Sequence, residues 1–478
     1  MTDLHHALIV CLPELILALG ALVLLMVGAF AGDRSIGAVS ALSGVVLIAG
    51  AFAAALNPQG AVFHGAFVMD GVAAYSKVAI YLASAVAVVL GQGWLERTKN
   101  PRFEFPVLIL LATVGMSLMV SCGDLISLYI SIELQSLALY VLCAFPRDDA
   151  RASEAGLKYF VLGALSSGFL LYGASLIYGF AGSMRFEDIA HAVQAGAHGG
   201  VIFGLVFLIC GVAFKVSAAP FHMWTPDVYE GAPTPVVAFV AAGPKLAAMV
   251  LFARALSHGF MGAHDQWRQV VIAIAVISYV VGAFGGLVQK DIKRLIAYSS
   301  IANIGYALLA IAAGTTAGMS AMLVFMVLYM IDVTGFLACL MALSRNGKAI
   351  TLVAELSGLK RERPGVAIAL TVLSLSVLGM PPFSGFWAKY YVFTAAIHAG
   401  LWPVAVAGLV ASVVAAFYYL RIIKVMWFDP SPGETAAPPR ETRWIGFAAA
   451  AFSFPLVVLA LAFLDKASGV AGLSFGLH

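Results

Sequence analysis

The stretch IFGLVFLICGVAFKVSAAPFHMW, residues 202–224, puts Lys215 inside an apolar run and Pro220 five residues beyond it. A second stretch, TVLSLSVLGMPPFSGFWAKYYVFTAAI, residues 371–397, repeats the combination, with Lys389 just after Pro381 and Pro382. A lysine in hydrocarbon is costly and is retained to carry charge or bind an ion. A proline or glycine break at membrane depth frees backbone groups, which is tolerated only inside protein or beside a water-filled cavity. Two broken, lysine-bearing segments in corresponding places predict an ion-translocating protein made of two related halves.

The rest of the chain fits a membrane setting. It has 478 residues, 62% hydrophobic and 11% charged, with a mean hydropathy of +0.98. Soluble domains run near 25% charged. Apolar stretches of about 20 residues recur from end to end and predict an all-α, polytopic protein of about fourteen transmembrane helices. They fall near 7–29, 36–56, 71–92, 105–121, 123–145, 155–181, 199–219, 233–257, 269–288, 294–313, 319–343, 364–398, 402–427 and 444–464. The polar stretches between them leave no room for a domain outside the membrane. The first span is too long for a secretory signal and lacks its basic leader, so it reads as a retained helix.

The net charge of +3 says little, but its placement says more. Arg97, Lys99, Arg102, Lys290, Lys293, Arg294, Arg345, Lys348, Lys360, Arg361 and Arg363 lie in loops after odd-numbered spans, whereas the alternate loops hold only Arg185, Arg254, Arg268 and Lys466. The positive-inside bias then puts the first set in the cytoplasm and both termini outside it. Nothing points to a nucleic-acid partner. Cys11, Cys122, Cys143, Cys210 and Cys339 are scattered, with no C-x-x-C, zinc spacing or iron–sulfur ladder. No dinucleotide or P-loop fingerprint occurs. The chain is expected to hold no nucleotide, flavin, metal or cluster of its own.

Several titratable residues stand inside the apolar spans. Glu133, in LISLYISIELQSLALYVL (125–142), reads either as polar glue between helices or as a proton-carrying acid near a lysine. Lys158 begins the next span four residues after Glu154, so a rim salt bridge competes evenly with a functional role. Lys77, near a span start and near Asp70, reads as a snorkelling lysine. Lys245 follows Gly243-Pro244 well inside a span, and its ammonium is expected to reach the bundle interior. His222 lies just past the first break, as a cap or as a relay. Asp332, in MVLYMIDVTGFLACL (326–340), is a further intramembrane acid. Burial disfavours a charged lysine and a nearby carboxylate favours it, so moving either group loads or unloads a proton.

Three segments carry a resemblance. FKVSAAPFHMWTPDVYEGAPTPV (214–236), QKDIKRLIAYSSIANIGYALL (289–309) and LGMPPFSGFWAKYYVF (378–393) closely resemble signatures of the antiporter-like subunits of respiratory complex I and its relatives. The likeness covers roughly 100–430. It implies two inverted five-helix repeats, 101–260 and 261–430, with broken seventh and twelfth helices. They would be flanked by three helices in 1–100 and a last helix in 431–478. It further implies a proton-translocating membrane-arm subunit, packed against other antiporter-like subunits in the lipid bilayer. NADH, FMN, iron–sulfur clusters and quinone would be bound by other subunits, and quinone reduction there would drive translocation. Carried over, Glu133, Lys158, Lys215, Lys245 and Lys389 match the family's proton-path residues. The Leu12-Pro13-Glu14-Leu15 start, the span count, the lack of a C-terminal extension and a lysine rather than a glutamate at 389 narrow the resemblance to one member. Asn303 departs from it, standing where a histidine is common, and an amide orders water without carrying a proton. Asp332 has no counterpart role.

Competing readings are a subunit of an Mrp-type cation/proton antiporter or a membrane-bound hydrogenase, a stand-alone secondary solute transporter, and a subunit with a structural role only. A solute transporter would show a wide polar cavity, whereas the polar residues here form a line of single titratable groups.

Overall fold

Aspartates and threonines at the ends of apolar runs start the helices. Asp70, Asp124, Asp149, Asp291 and Thr315 each accept a hydrogen bond from a backbone amide in the first turn that follows. Glycines in the left-handed region close others, Gly182 and Gly379 among them. The computed structural model describes residues 2–196, 198–345, 347–431, 433–436 and 438–477.

The spans begin with α1 (Leu12–Ala31), α2 (Ile36–Leu56), α3 (Gly71–Thr98), α4 (Glu104–Met119), α5 (Leu125–Cys143) and α6 (Ala150–Ala181). Then come α7 (His198–Val216), α8 (Trp224–Gly231), α9 (Thr234–Ala241) and α10 (Gly243–Gly259). The second part holds α11 (His264–Leu287), α12 (Ile292–Ala312), α13 (Thr316–Met341), α14 (Pro364–Leu378), α15 (Ser384–His398) and α16 (Trp402–Phe428). The last two are α17 (Arg440–Ala451) and α18 (Val457–Leu473). Pairing α7 with α8, α9 with α10, α14 with α15 and α17 with α18 gives, among the described residues, the fourteen spans expected. In the connections, Gly60–Val62 pairs antiparallel with Phe67–Met69, and Ser344–Arg345 with Lys348–Ala349.

Every residue in the most apolar window of Thr234–Gly259 is buried, against 22% for Leu12–Leu56 and for Arg440–Leu473. The middle of the chain therefore forms the core, and its first and last spans present side chains outward. In lipid, small residues rather than hydrophobic collapse set how closely helices approach. Gly173 and Gly204 do this between α6 and α7: a Cβ on Gly173 would lie 2.6 Å from the Gly204 carbonyl oxygen.

The two predicted breaks exist, and each is closed by a different device. Between α7 and α8, the Ser278 hydroxyl accepts the Ala219 amide at 2.9 Å, and the Trp224 indole donates to the Phe214 carbonyl at 2.9 Å. Between α14 and α15, Lys389 Nζ donates to the Leu378 carbonyl at 2.6 Å. Gly379 there has φ +92°, and a Cβ on it would lie 2.8 Å from Lys389 Cδ. The span expected over 233–257 is also interrupted. Pro244 has no amide to continue the ladder, and Ala242 leaves helical geometry at φ −104°, ψ −97°.

Candidate functional site

Glu133, Ser136 and Tyr140 recur at i, i+3 and i+7 on α5 and so share one face. Lys215, near the end of α7, reaches that face. Its Nζ donates to Ser136 Oγ at 2.9 Å and to Tyr140 Oη at 3.4 Å, and lies 3.9 Å from Glu133 Oε1. Glu133 is also bound by the Ser167 hydroxyl from α6. The lysine side chain is 2% exposed and the glutamate side chain 24%. The lysine is thus enclosed while its acid partner keeps an opening to the surroundings.

Lys245, on α10, is buried without an acid partner among the described residues. Its Nζ meets Ser300 Oγ at 2.5 Å and sits 5.4 Å from the centre of the Tyr229 ring. Lys389 binds Ser412 Oγ at 2.8 Å besides the Leu378 carbonyl, and lies 4.9 Å over the Tyr306 ring. Ser300 and Tyr306 both belong to α12, so one helix touches both lysines. Between them, Asn303 donates to the Ser299 carbonyl at 2.9 Å, and Ser299 and Tyr419 share a short hydrogen bond. This is a structural role for Asn303, not a titrating one.

Lys158 does not join this interior line. It pairs with Glu154 and Asp227, each at 2.8 Å, in an open cleft of about 270 Å³ that also holds Arg151, Glu230 and Arg294. Arg294 closes the cluster on Asp227 at 2.7 Å and Glu230 at 2.9 Å. His222 is half-buried at the first break, and its Nδ1 has no partner among the described residues.

Three expectations are corrected. Lys77 does not snorkel beside Asp70. It is fully buried and pairs with Glu14 at 2.7 Å, while Glu14 also takes the Ser117 hydroxyl. Asp70 pairs instead with Arg254 at 2.8 Å, and Arg254, counted above as a loop charge, is buried within α10. Burial pushes the Asp70 carboxyl up, but the Arg254 guanidinium and the Ala73 amide hold it below its ordinary value on balance. Lys293, also counted as a loop charge, is buried and donates to the Ala232 carbonyl at 2.9 Å. Charge counting places a residue along the chain and cannot tell whether a neighbouring helix covers it. The i, i+3, i+7 spacing of Glu133, Ser136 and Tyr140 was a readable sign of the Lys215 partners. No comparable sign marked Ser300 or Ser412 as lysine partners.

Among the described residues, no group of three or more His, Cys, Asp or Glu side chains converges as a metal site would. The family model described as "NADH:quinone oxidoreductase/Mrp antiporter, TM" matches residues 122–415. NADH-quinone oxidoreductase subunit N from Caulobacter sp. (strain K31) is 64% identical over 390 residues, 80% of this chain and 81% of that one. Its counterpart from Maricaulis maris (strain MCS10) is 53% identical over 92% of this chain and 93% of its own. A chain of respiratory complex I from Thermus thermophilus with bound aureothin superposes at a TM-score of 0.82. It is 33% identical, and the match covers 96% of this chain and 99% of that one. A chain of the Mrp complex from Dietzia sp. DQ12-45-1b, at 21% identity and a TM-score of 0.83, shares the fold over 97% of each chain. With a family match over more than half its length and relatives this similar, the chain belongs to the NADH:quinone oxidoreductase/Mrp antiporter family, in the branch occupied by subunit N.

Proposed function

We propose that the chain is a proton-translocating membrane-arm subunit of respiratory NADH:quinone oxidoreductase, and that Glu133, Lys215, Lys245 and Lys389 carry the protons. The observation that carries this reading is the Glu133–Lys215 pair at 3.9 Å. At that distance the two charges attract without a direct hydrogen bond, so small movements change how strongly the acid holds the lysine's proton. Ser136 and Tyr140 already touch Lys215 Nζ and offer the proton a hydroxyl route away from it. The buried hydroxyls of Tyr229, Tyr306 and Tyr329 have no protein partner among the described residues. Polar groups of that kind hold ordered water, and water would link Lys245 and Lys389 to the first pair.

The remaining site residues take outer roles. Lys158, with Asp227 and Arg294, forms a charged entrance at the rim, and His222 stands at the first break as a relay between the entrance and the interior. Residues 101–260 and 261–430 act as two inverted repeats, flanked by 1–100 and 431–478. Quinone reduction in other subunits supplies the energy, and NADH, FMN, iron–sulfur clusters and quinone are bound there. The protein is a multi-pass protein of the bacterial membrane, and the loop charges support a topology with both termini on the periplasmic side. A cysteine introduced near Arg361 is then labelled only from the cytoplasm, and one near Arg185 only from the opposite face.

The test is proton pumping in membrane vesicles, normalised to assembled complex. Lys215→Ala should assemble and lose most pumping. Lys215→Arg should also be impaired, because a guanidinium does not release its proton near neutral pH. Full pumping with arginine would make Lys215 a fixed charge. Cation/proton exchange is the second reading, favoured only by the shared fold with the Mrp chain, and sodium-dependent rather than proton-dependent transport would select it.

A further inference from the structure

Asp332 lies in the middle of α13 and is 1% exposed. Three other elements meet its carboxyl. Ser376, near the end of α14, donates to Oδ2 at 2.6 Å. Ser384, at the start of α15, lies 3.0 Å from both oxygens. Ser453, in the kinked turn Phe452–Leu456 between α17 and α18, donates to Oδ1. No basic nitrogen lies within the 4.0 Å of an ion pair, among the described residues. The other titratable groups that feel its charge are the phenols of Tyr329 on α13 and Tyr419 on α16. Hydroxyl donors to both oxygens suit a carboxylate. A buried carboxylate without a cation is nonetheless costly, unlike Glu14 with Lys77 or Asp70 with Arg254. A group held in that way is suited to take and release a proton rather than to serve as a fixed ion.

The cage is tied to the second break. Ser376 Oγ also accepts the Gly385 amide at 2.9 Å and lies 2.7 Å from Ser384 Oγ. Ser376 belongs to the half-helix before the break, and Ser384 and Gly385 belong to the half-helix after it. Two residues beyond Ser376, the Leu378 carbonyl receives Lys389 Nζ. An acid and a lysine therefore grip one break from two sides.

We propose that Asp332 is the proton-carrying acid of the second half, loading and unloading in step with Lys389 across the 379–383 break, an inference that rests on the proton-translocating reading above. No covalent bond forms. A proton arrives on one carboxyl oxygen, and the hydroxyl that donated to that oxygen turns to accept. Ser376 and Ser384 already share a hydrogen bond that either can donate, so the turn needs no new partner. Because Ser376 also holds the Gly385 amide, the change reaches the first turn of the half-helix that carries Lys389.

The experiment uses the intact complex in membrane vesicles, with pumping per assembled complex measured across pH. Asp332→Asn keeps the shape and accepts hydroxyls at its one oxygen, while its amide nitrogen can only donate and the side chain cannot carry a proton. We expect normal assembly with at least about threefold slower pumping, and partial recovery in Asp332→Glu. Wild-type pumping in the asparagine variant would overturn the proposal and leave a polar clasp. Ser453→Ala keeps the carboxyl and removes one donor. It should shift the pH profile of pumping at unchanged assembly, a change that a clasp would not produce, and an unshifted profile overturns the proposal. If Asp332→Asn does not assemble, Ser453→Ala decides alone. If neither assembles, the cage is structural and the proposal falls. Lys215→Ala in the same vesicles separates the two levels. Pumping retained there defeats the wider reading, whereas pumping lost there and normal in Asp332→Asn defeats only this one.

Discussion

The two breaks hold the same chemical group in different company. Lys215 is held by side chains of one neighbouring helix, with a carboxylate at 3.9 Å. Lys389 is held by a main-chain carbonyl and a serine, with no acid in contact among the described residues. At the first break the lysine takes no part in closing the backbone, which Ser278 and Trp224 satisfy. At the second, the lysine is itself one of the groups that close it. The first lysine can be gated by moving a charge. The second can be gated only by moving dipoles or the break, and Asp332 reaches that break through Ser376 and Ser384 at the helix ends. Under the proposed function, the two breaks serve translocation through unlike surroundings, and the lysine is the part they share.

The largest test of that contrast is arginine at each position. Lys215→Arg and Lys389→Arg should each lower pumping by about tenfold or more, since neither guanidinium can release its proton. A large loss at one position and none at the other would mean that only one lysine titrates. The next test removes a neighbour instead. Glu133→Ala should cut pumping about fivefold, and Glu133→Asp should keep part of it, because the acid sets the lysine's hold on its proton. Ser412→Ala should cost about twofold, since Leu378 still holds Lys389. Equal losses would remove the distinction between a charge-gated and a dipole-gated lysine. A smaller effect concerns stability alone. Trp224→Phe removes the indole donor from the Phe214 carbonyl, which keeps the Ser217 amide, and should lower stability in detergent by about 1 kcal/mol with pumping per assembled complex unchanged. Reduced pumping in that variant would show that the first break, too, moves with its lysine.

Much of this was legible in the chain. Apolar run length predicted the spans, and proline next to lysine marked both breaks. The family motifs pointed to Lys245, which local pattern alone would have left as one more buried cation. Run length reports depth along a helix and says nothing of which helix lies opposite. For that reason Lys77 was matched with Asp70, its neighbour in sequence, whereas the fold brings it Glu14. Arg254 and Lys293 were read as loop charges for the same reason. Asp332 was visible as an intramembrane acid, but its three serine partners come from three separate elements that no local pattern connects.

Helix α12 has one further consequence. Ser300 and Tyr306 are six residues apart, so they project about 120° apart around its axis and about 9 Å apart along it. Each touches a different lysine. A helix held by intact hydrogen bonds turns or slides as one piece. Any rotation of α12 therefore acts like a camshaft with two lobes: it cannot release Lys245 from its serine without also shifting the ring beneath Lys389.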